Sequence, residues 1–125
     1  FGEAIGMAFQ IQDDILDFKR DNNTGKPSNN DLREKKITLP MLEVMERKSE
    51  EERRVMLDLL KRASEDESAV DELHRIVVEG GGPELAAETM HAYIHRAMHH
   101  ASKYPDTPYR RAMLDLCTFI AERDR

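Results

Sequence analysis

Residues 2–18 read GEAIGMAFQIQDDILDF, and this stretch constrains the fold more than any other part of the 125-residue chain. It contains no proline and consists mainly of good helix formers. On an α-helix, with about 100° between successive residues, the stretch separates into two faces. The apolar face carries Ala4, Ile5, Ala8, Ile11, Ile15 and Phe18, with Phe9 and Leu16 at its border. The opposite face carries Gly6, Gln10, Asp13, Asp14 and Asp17. We therefore predict an amphipathic helix over 2–21 with an acidic front.

Three carboxylates on one helix face repel each other, and like charges four residues apart destabilise a helix by roughly 0.2–0.5 kcal/mol. A hard divalent cation would compensate, since Mg²⁺ takes carboxylate oxygens together with waters and substrate phosphates. The spacing thus makes Asp13, Asp14 and Asp17 candidate metal ligands, with Mg²⁺ as the cofactor and Mn²⁺ as a substitute. The alternative is a solvated acidic surface, which is common where charged residues make up 35% of a chain. The spacing alone leaves both interpretations open.

The surrounding residues carry a resemblance to a known family. The pattern Gly-x-x-Phe-Gln-x-x-Asp-Asp-x-x-Asp at residues 6–17 resembles the second aspartate-rich motif of trans-isoprenyl diphosphate synthases, the polyprenyl synthetase family. The resemblance continues through TGKP at 24–27 and DLREKKITLP at 31–40. Asn29 and Lys35 stand where many members of that family have glycine. The remainder of the chain is similar only as a helical C-terminal region.

The resemblance implies a prenyltransferase that condenses isopentenyl diphosphate head-to-tail with an allylic diphosphate. It implies that Asp13 and Asp17 bind metal directly or through water, and that Asp14 supports them. The residues that it implies for catalysis are Asp13, Asp14, Asp17 and Lys26. Those that it implies for substrate binding are Phe9, Gln10, Lys26 and Lys36, the two lysines holding the allylic diphosphate. Gly6 would keep the cavity open beside the reacting chain, and replacement of Asn29 by alanine should matter little.

Composition limits the class of protein. Aromatic residues make up 6%, and no regular apolar alternation occurs, which favours helices over sheet. The net charge of −6 argues against general nucleic-acid binding. A single cysteine, Cys117, cannot form an internal disulfide, which fits a reducing compartment. With no apolar run of about 18 residues and no signal peptide, we expect a cytoplasmic location without stable membrane insertion.

The rest of the chain also has helical spacing, interrupted by helix start and stop signals. Ser49 and Glu52 form a predicted capping box, GGG at 80–82 ends one helix, and Pro83 begins the next. We predict helices over 40–48, 50–63, 67–79, 83–104 and 108–122. The positions predicted to face inward include Met41, Leu42, Val55, Met56, Met98, Cys117 and Phe119. The expected fold is one all-α domain over 1–125, a helical bundle forming the C-terminal part of an isoprenoid-synthase-type fold.

Three histidines, His91, His95 and His99, share one helical face. Histidines four residues apart can bind Zn²⁺. No acidic or cysteine ligand follows a zinc-protease pattern here, so a solvated polar face is favoured over a metal site. His74 and His100 are predicted to lie at the surface, and Cys117 in the core.

We expect the chain to be the C-terminal portion of a longer protein, because the family's first aspartate-rich motif and upstream arginine pair have no counterpart in it. The fragment alone is expected to be inactive, and the whole protein to be a homodimer. One alternative is a non-catalytic partner subunit of a heteromeric synthase; another is an unrelated helical interaction module. Terpene cyclases are a further enzymatic alternative. Their second metal motif usually combines Asn, Ser or Thr with Glu, and that combination is not seen here.

Overall fold

A computed structural model describes residues 1–19 and 29–122, and within them the secondary structure is entirely helical. The helices are α1 (Gly2–Lys19), α2 (Asn30–Arg33), α3 (Leu39–Glu46), α4 (Glu50–Arg62), α5 (Glu67–Glu79), α6 (Gly82–Ser102) and α7 (Pro108–Glu122). The predicted all-α class is confirmed, and the bounds expected for α3 to α7 agree within two residues. The four-residue α2 was not predicted. None of these helices is both long and apolar enough to cross a membrane.

The chain divides into two compact units, and the division passes through α1 and α6. One unit comprises residues 14–86, and the other comprises residues 1–13 and 87–125. Residues 14–86 have a continuous apolar core. Its members are Phe18, Leu32, Met41, Val44, Met56, Leu59, Leu60, Ala63, Ala69, Val70, Leu73 and Val77. Burial of each Val, Leu, Met or Phe side chain in this core contributes about 1.5–3 kcal/mol relative to its exposure.

Local signals set the helix ends in this unit. The predicted capping box is confirmed: the Glu52 amide donates to Ser49 Oγ at 3.2 Å, and the Ser49 amide donates to Glu52 Oε1 at 3.1 Å. Asp66 caps α5 by accepting from the Ser68 amide at 3.0 Å. At the start of α6, a Cβ on Gly82 would lie 2.5 Å from the Pro40 carbonyl oxygen. Only glycine therefore fits at this approach of α6 to α3.

In the other unit, the apolar back of α1 is buried as predicted at Ala4, Ile5, Ala8 and Ile11. From α6 and α7 the unit buries Met90, Ile94, Ala97, Ala101, Met113, Cys117 and Ile120. Burial raises the pKa of the Cys117 thiol, which fits a core cysteine rather than a nucleophile. Gln12 is also buried, and its Nε2 lies 3.5 Å from the Ile120 carbonyl oxygen.

Four of the positions predicted to face inward are wrong. Leu42 and Met98 are exposed, Val55 is 55% exposed, and Phe119 is 60% exposed. Helical spacing identifies an apolar stripe but not how much of its width the neighbouring helix covers.

Among the described residues, two that are not glycine have left-handed backbone conformations. Asn29 has φ of 65° and Lys35 has φ of 60°. These are the two positions at which many members of the resembled family have glycine. Asparagine tolerates this region through local hydrogen bonding, whereas an ordinary L-residue such as lysine is strained there by roughly 1–2 kcal/mol.

We expect Lys35→Gly to stabilise the protein by about 0.5–1 kcal/mol, since relief of the strain exceeds the extra entropy that glycine loses on folding. The matched control is Glu88→Gly within α6, which should destabilise by about 1 kcal/mol. Urea unfolding of both variants is the measurement. Similar losses of stability in both would show that the Lys35 backbone is not left-handed.

Candidate active site

The front of α1 presents two neighbouring carboxylates at intermediate depth. Asp13 and Asp14 are both half-buried, and Gln10, one turn earlier, is exposed. Phe9 is 44% exposed. At Gly6, a Cβ would meet no atom of the described residues within 4 Å. The front of the helix thus exposes Phe9 and Gln10, and leaves Asp13 and Asp14 partly exposed.

Asp17 has a different environment, although the sequence places it on the same face. Its side chain is 4% exposed. Oδ1 accepts from the Asn30 amide at 3.1 Å, and Oδ2 accepts from the Asp31 amide at 3.0 Å. Its backbone carbonyl accepts from the Asn29 amide at 2.9 Å. Asp17 therefore holds the beginning of α2 against α1, a role that sequence reasoning did not predict.

The two lysines predicted to bind phosphate are Lys26 and Lys36. Lys26 lies outside the described residues. Lys36 is exposed, and its Nζ lies 2.9 Å from Glu34 Oε2. The hydrogen bond to Glu34 raises the pKa of Lys36, and the charges of Asp31 and Asp14 act in the same direction. Lys36 is thus protonated at neutral pH.

His74 on α5 is not the surface residue that the sequence predicted. It is half-buried, its ring stacks on Phe18 with centroids 5.8 Å apart, and its Nδ1 lies 2.7 Å from Asn29 Oδ1. Burial lowers the pKa of His74, with Asp71 and Asp17 opposing that shift. Asn29 is itself 6% exposed, and the expectation that its replacement by alanine matters little did not take this burial into account. His74 and Asn29 are 45 positions apart in the sequence, so the local spacing of residues could not predict their contact.

Sequence reasoning also missed Arg33. Its guanidinium forms an ion pair with Glu67, with Nε donating to Oε2 at 3.2 Å, and so links α2 to α5. Hydrogen bonding to Glu67 raises the pKa of Arg33 despite partial burial. The pair is partly exposed, and such pairs contribute about 0–1 kcal/mol, so it orients α2 more than it stabilises it.

The residues of α1 fit a hard cation better than the histidines do. His91, His95 and His99 are exposed on α6. Within residues 1–19 and 29–122, no group of three or more His, Cys, Asp or Glu side chains converges as a metal site. Mg²⁺ does not require such a cage, because it binds through one or two carboxylates plus waters and substrate phosphates. Asp13 and Asp14 carry carboxylate oxygens of the kind that could serve in such an arrangement.

Comparison with known proteins gives a consistent result. A curated short chain isoprenyl diphosphate synthase from Methanothermobacter thermautotrophicus is 33% identical over 125 residues, covering 99% of this chain and 38% of that protein. The heptaprenyl diphosphate synthase structure from Staphylococcus aureus matches with a TM-score of 0.86 at 29% identity, over 99% of this chain and 38% of that one.

A polyprenyl synthase from Caulobacter crescentus, crystallised with calcium and isoprenyl diphosphate, matches with a TM-score of 0.82 at 26% identity, over 98% of this chain and 38% of that one. The chain thus spans well under half the length of each of these relatives. The family model for polyprenyl synthetase matches residues 1–77. Since that match spans more than half of the 125 residues, the chain belongs to the polyprenyl synthetase family.

Proposed function

We propose that the protein containing this chain is a prenyltransferase, which condenses isopentenyl diphosphate with an allylic diphosphate in a Mg²⁺-dependent reaction. The chain supplies the second metal-binding and diphosphate-binding half of the site. The observation that carries the proposal is the half-buried Asp13–Asp14 pair on α1, in a chain of this family. The Caulobacter crescentus relative, crystallised with calcium and isoprenyl diphosphate, supports a divalent cation and this class of substrate.

In this reaction the allylic C–O bond breaks and diphosphate leaves. The isopentenyl double bond then attacks the carbocation, and a proton is lost. When bound, Mg²⁺ neutralises the charge that develops on the leaving diphosphate. Asp13 and Asp14 hold the cation, and Lys36 acts on the diphosphate electrostatically, together with Lys26. Lys36 must exchange its Glu34 partner for phosphate, a small cost for an exposed pair.

The apolar and neutral side chains of α1 act on the hydrocarbon part of the substrates. Gln10 presents a neutral polar group to the reacting carbons, and Phe9 lies against the isopentenyl tail. Gly6 leaves room beside the growing chain, which a larger side chain would fill. Asp17 holds α2 in place through its two backbone hydrogen bonds, and contacts the cation at most through water.

We also propose that the whole protein is a cytoplasmic homodimer that accepts Mn²⁺ in place of Mg²⁺. Membership of the family excludes the unrelated helical module. A non-catalytic subunit of a heteromeric synthase remains as the second candidate. An Asp-Asp-x-x-Asp motif preceding this chain in the full-length sequence supports the enzyme, and its loss there supports the non-catalytic subunit.

In the full-length protein, Asp13→Asn should lower kcat a hundredfold or more, since one electrostatic contact to a developing anion contributes on the order of 3 kcal/mol. The free energy of unfolding should change by less than about 1 kcal/mol, because the substitution is isosteric on a polar face. Steady-state transfer with Mg²⁺ varied, paired with thermal melts without metal, measures both.

The matched control is Asp115→Asn on the exposed side of α7, which should leave kcat and stability unchanged. Near-normal turnover of Asp13→Asn at saturating Mg²⁺ would identify the acidic face as a solvated surface.

Asp17→Asn should instead lower the free energy of unfolding, by about 1–3 kcal/mol. An amide retains one acceptor oxygen and turns a donor towards the second backbone N–H, which leaves that buried amide unsatisfied. Urea unfolding in the absence of metal measures the loss. Unchanged stability together with a kcat loss as large as that of Asp13→Asn would instead make Asp17 a direct metal ligand.

A further inference from the structure

A continuous chain of hydrogen bonds runs from α5 to the lysine that the proposed function places on the diphosphate. It begins at His74, whose Nδ1 lies 2.7 Å from Asn29 Oδ1. The Asn29 amide donates to the carbonyl oxygen of Asp17 at 2.9 Å. The Asp17 carboxylate accepts from the Asp31 amide at 3.0 Å. The Lys36 amide then donates to the Asp31 carbonyl oxygen at 2.8 Å.

Each link in this chain is held by burial or by backbone geometry. Asn29 and Asp17 are both nearly inaccessible, so loss of any partner would leave a buried polar group unsatisfied. Asn29 adopts its left-handed conformation where the backbone enters α2, and its side chain is fixed by His74. The His74 ring is fixed in turn by stacking on Phe18, the residue after Asp17.

The chain of bonds therefore fixes the Lys36 backbone relative to α1. Asp14 lies three residues before Asp17 on the same helix. A diphosphate that binds a cation at the aspartates and also contacts Lys36 requires a constant distance between the aspartates and Lys36. Misplacement of a charged contact by about 1 Å lowers the rate steeply. The hydrogen bond of His74 is to Asn29, and through Asn29 it reaches the start of α2.

We propose that His74 and Asn29 are positioning residues for diphosphate binding: their hydrogen bond holds the start of α2 so that Lys36 stays in register with the aspartates of α1. This role rests on the proposed function. It predicts that loss of the bond weakens the binding of the allylic diphosphate and leaves that of isopentenyl diphosphate unchanged. The expected weakening is about threefold to tenfold, the range that one net hydrogen bond supports.

The test uses substitutions that separate the ring, the donor and the backbone conformation in the full-length protein. His74→Phe keeps a ring for Phe18 and removes the donor. His74→Asn keeps a donor near the position of Nδ1 and removes the ring. Asn29→Gly keeps the left-handed backbone and removes the acceptor. His74→Phe and Asn29→Gly remove the bond and should raise the KM for the allylic diphosphate. His74→Asn keeps a donor, so its KM for the allylic diphosphate should stay within about twofold of the wild-type value.

The double variant His74→Phe/Asn29→Gly should be no worse than either single variant, since both remove the same bond. Equal changes in the two KM values, additive effects of the two substitutions, or lower thermal stability with unchanged kinetics would overturn the positioning role. If the wild-type enzyme transfers no prenyl group, the proposed function fails and the positioning role fails with it. An active wild type with unaffected variants defeats the positioning role alone.

A second readout needs neither substrate nor metal. With Asn29 Oδ1 as the acceptor, neutral His74 carries its proton on Nδ1, whereas exposed imidazoles mostly carry it on Nε2. The ¹⁵N shifts of the imidazole nitrogens should report Nδ1–H for His74 in the wild type and a mixture of tautomers in Asn29→Gly. An Nε2–H tautomer of His74 that persists unchanged in Asn29→Gly would show that His74 does not donate to Asn29 Oδ1 and would overturn the proposal.

Discussion

The arrangement of the candidate site depends on the buried carboxylate of Asp17. A carboxylate removed from water is costly unless donors surround it, and here two backbone amides of α2 supply them. This requirement brings residues 30 and 31 back to α1 across thirteen and fourteen positions of sequence. The position of the Lys36 backbone depends in turn on Asp31, whose carbonyl oxygen accepts from the Lys36 amide. One aspartate motif thus has two environments: Asp13 and Asp14 stay partly exposed, and Asp17 organises the neighbouring backbone.

Much of this structure could be predicted from the sequence because its causes are local. The period of 3.6 residues identified Ile5, Ala8 and Ile11 as the buried back of α1, and the Ser49–Glu52 capping box marked the start of α4. The resemblance marked Asn29 and Lys35 as glycine positions, and both have positive φ. A backbone that needs φ > 0 favours glycine whatever side chain a particular sequence carries there.

The remaining features depend on which segments meet, and local spacing does not contain that information. A helical projection gives Asp13 and Asp17 the same environment, yet Asp17 is buried against the backbone amides of α2 and Asp13 is only half-buried. The four residues of α2 are too few to show a helical period. A helix this short does not form through its own propensity, and its start is held by the hydrogen bonds to Asp17. His74 reads as a surface histidine until Asn29 is brought beside it. Val55 and Phe119 have helical spacing but lie outside the area that neighbouring helices cover.

The central claim is that the front of α1 binds a divalent cation together with a diphosphate, and paramagnetic broadening tests it most directly. Mn²⁺ added with inorganic diphosphate to the isotope-labelled full-length protein should broaden the backbone amide signals of residues 10–17. It should leave those of residues 91–99 sharp, although three histidines there offer nitrogen ligands. Broadening centred on residues 91–99, or no broadening along α1, would contradict the account.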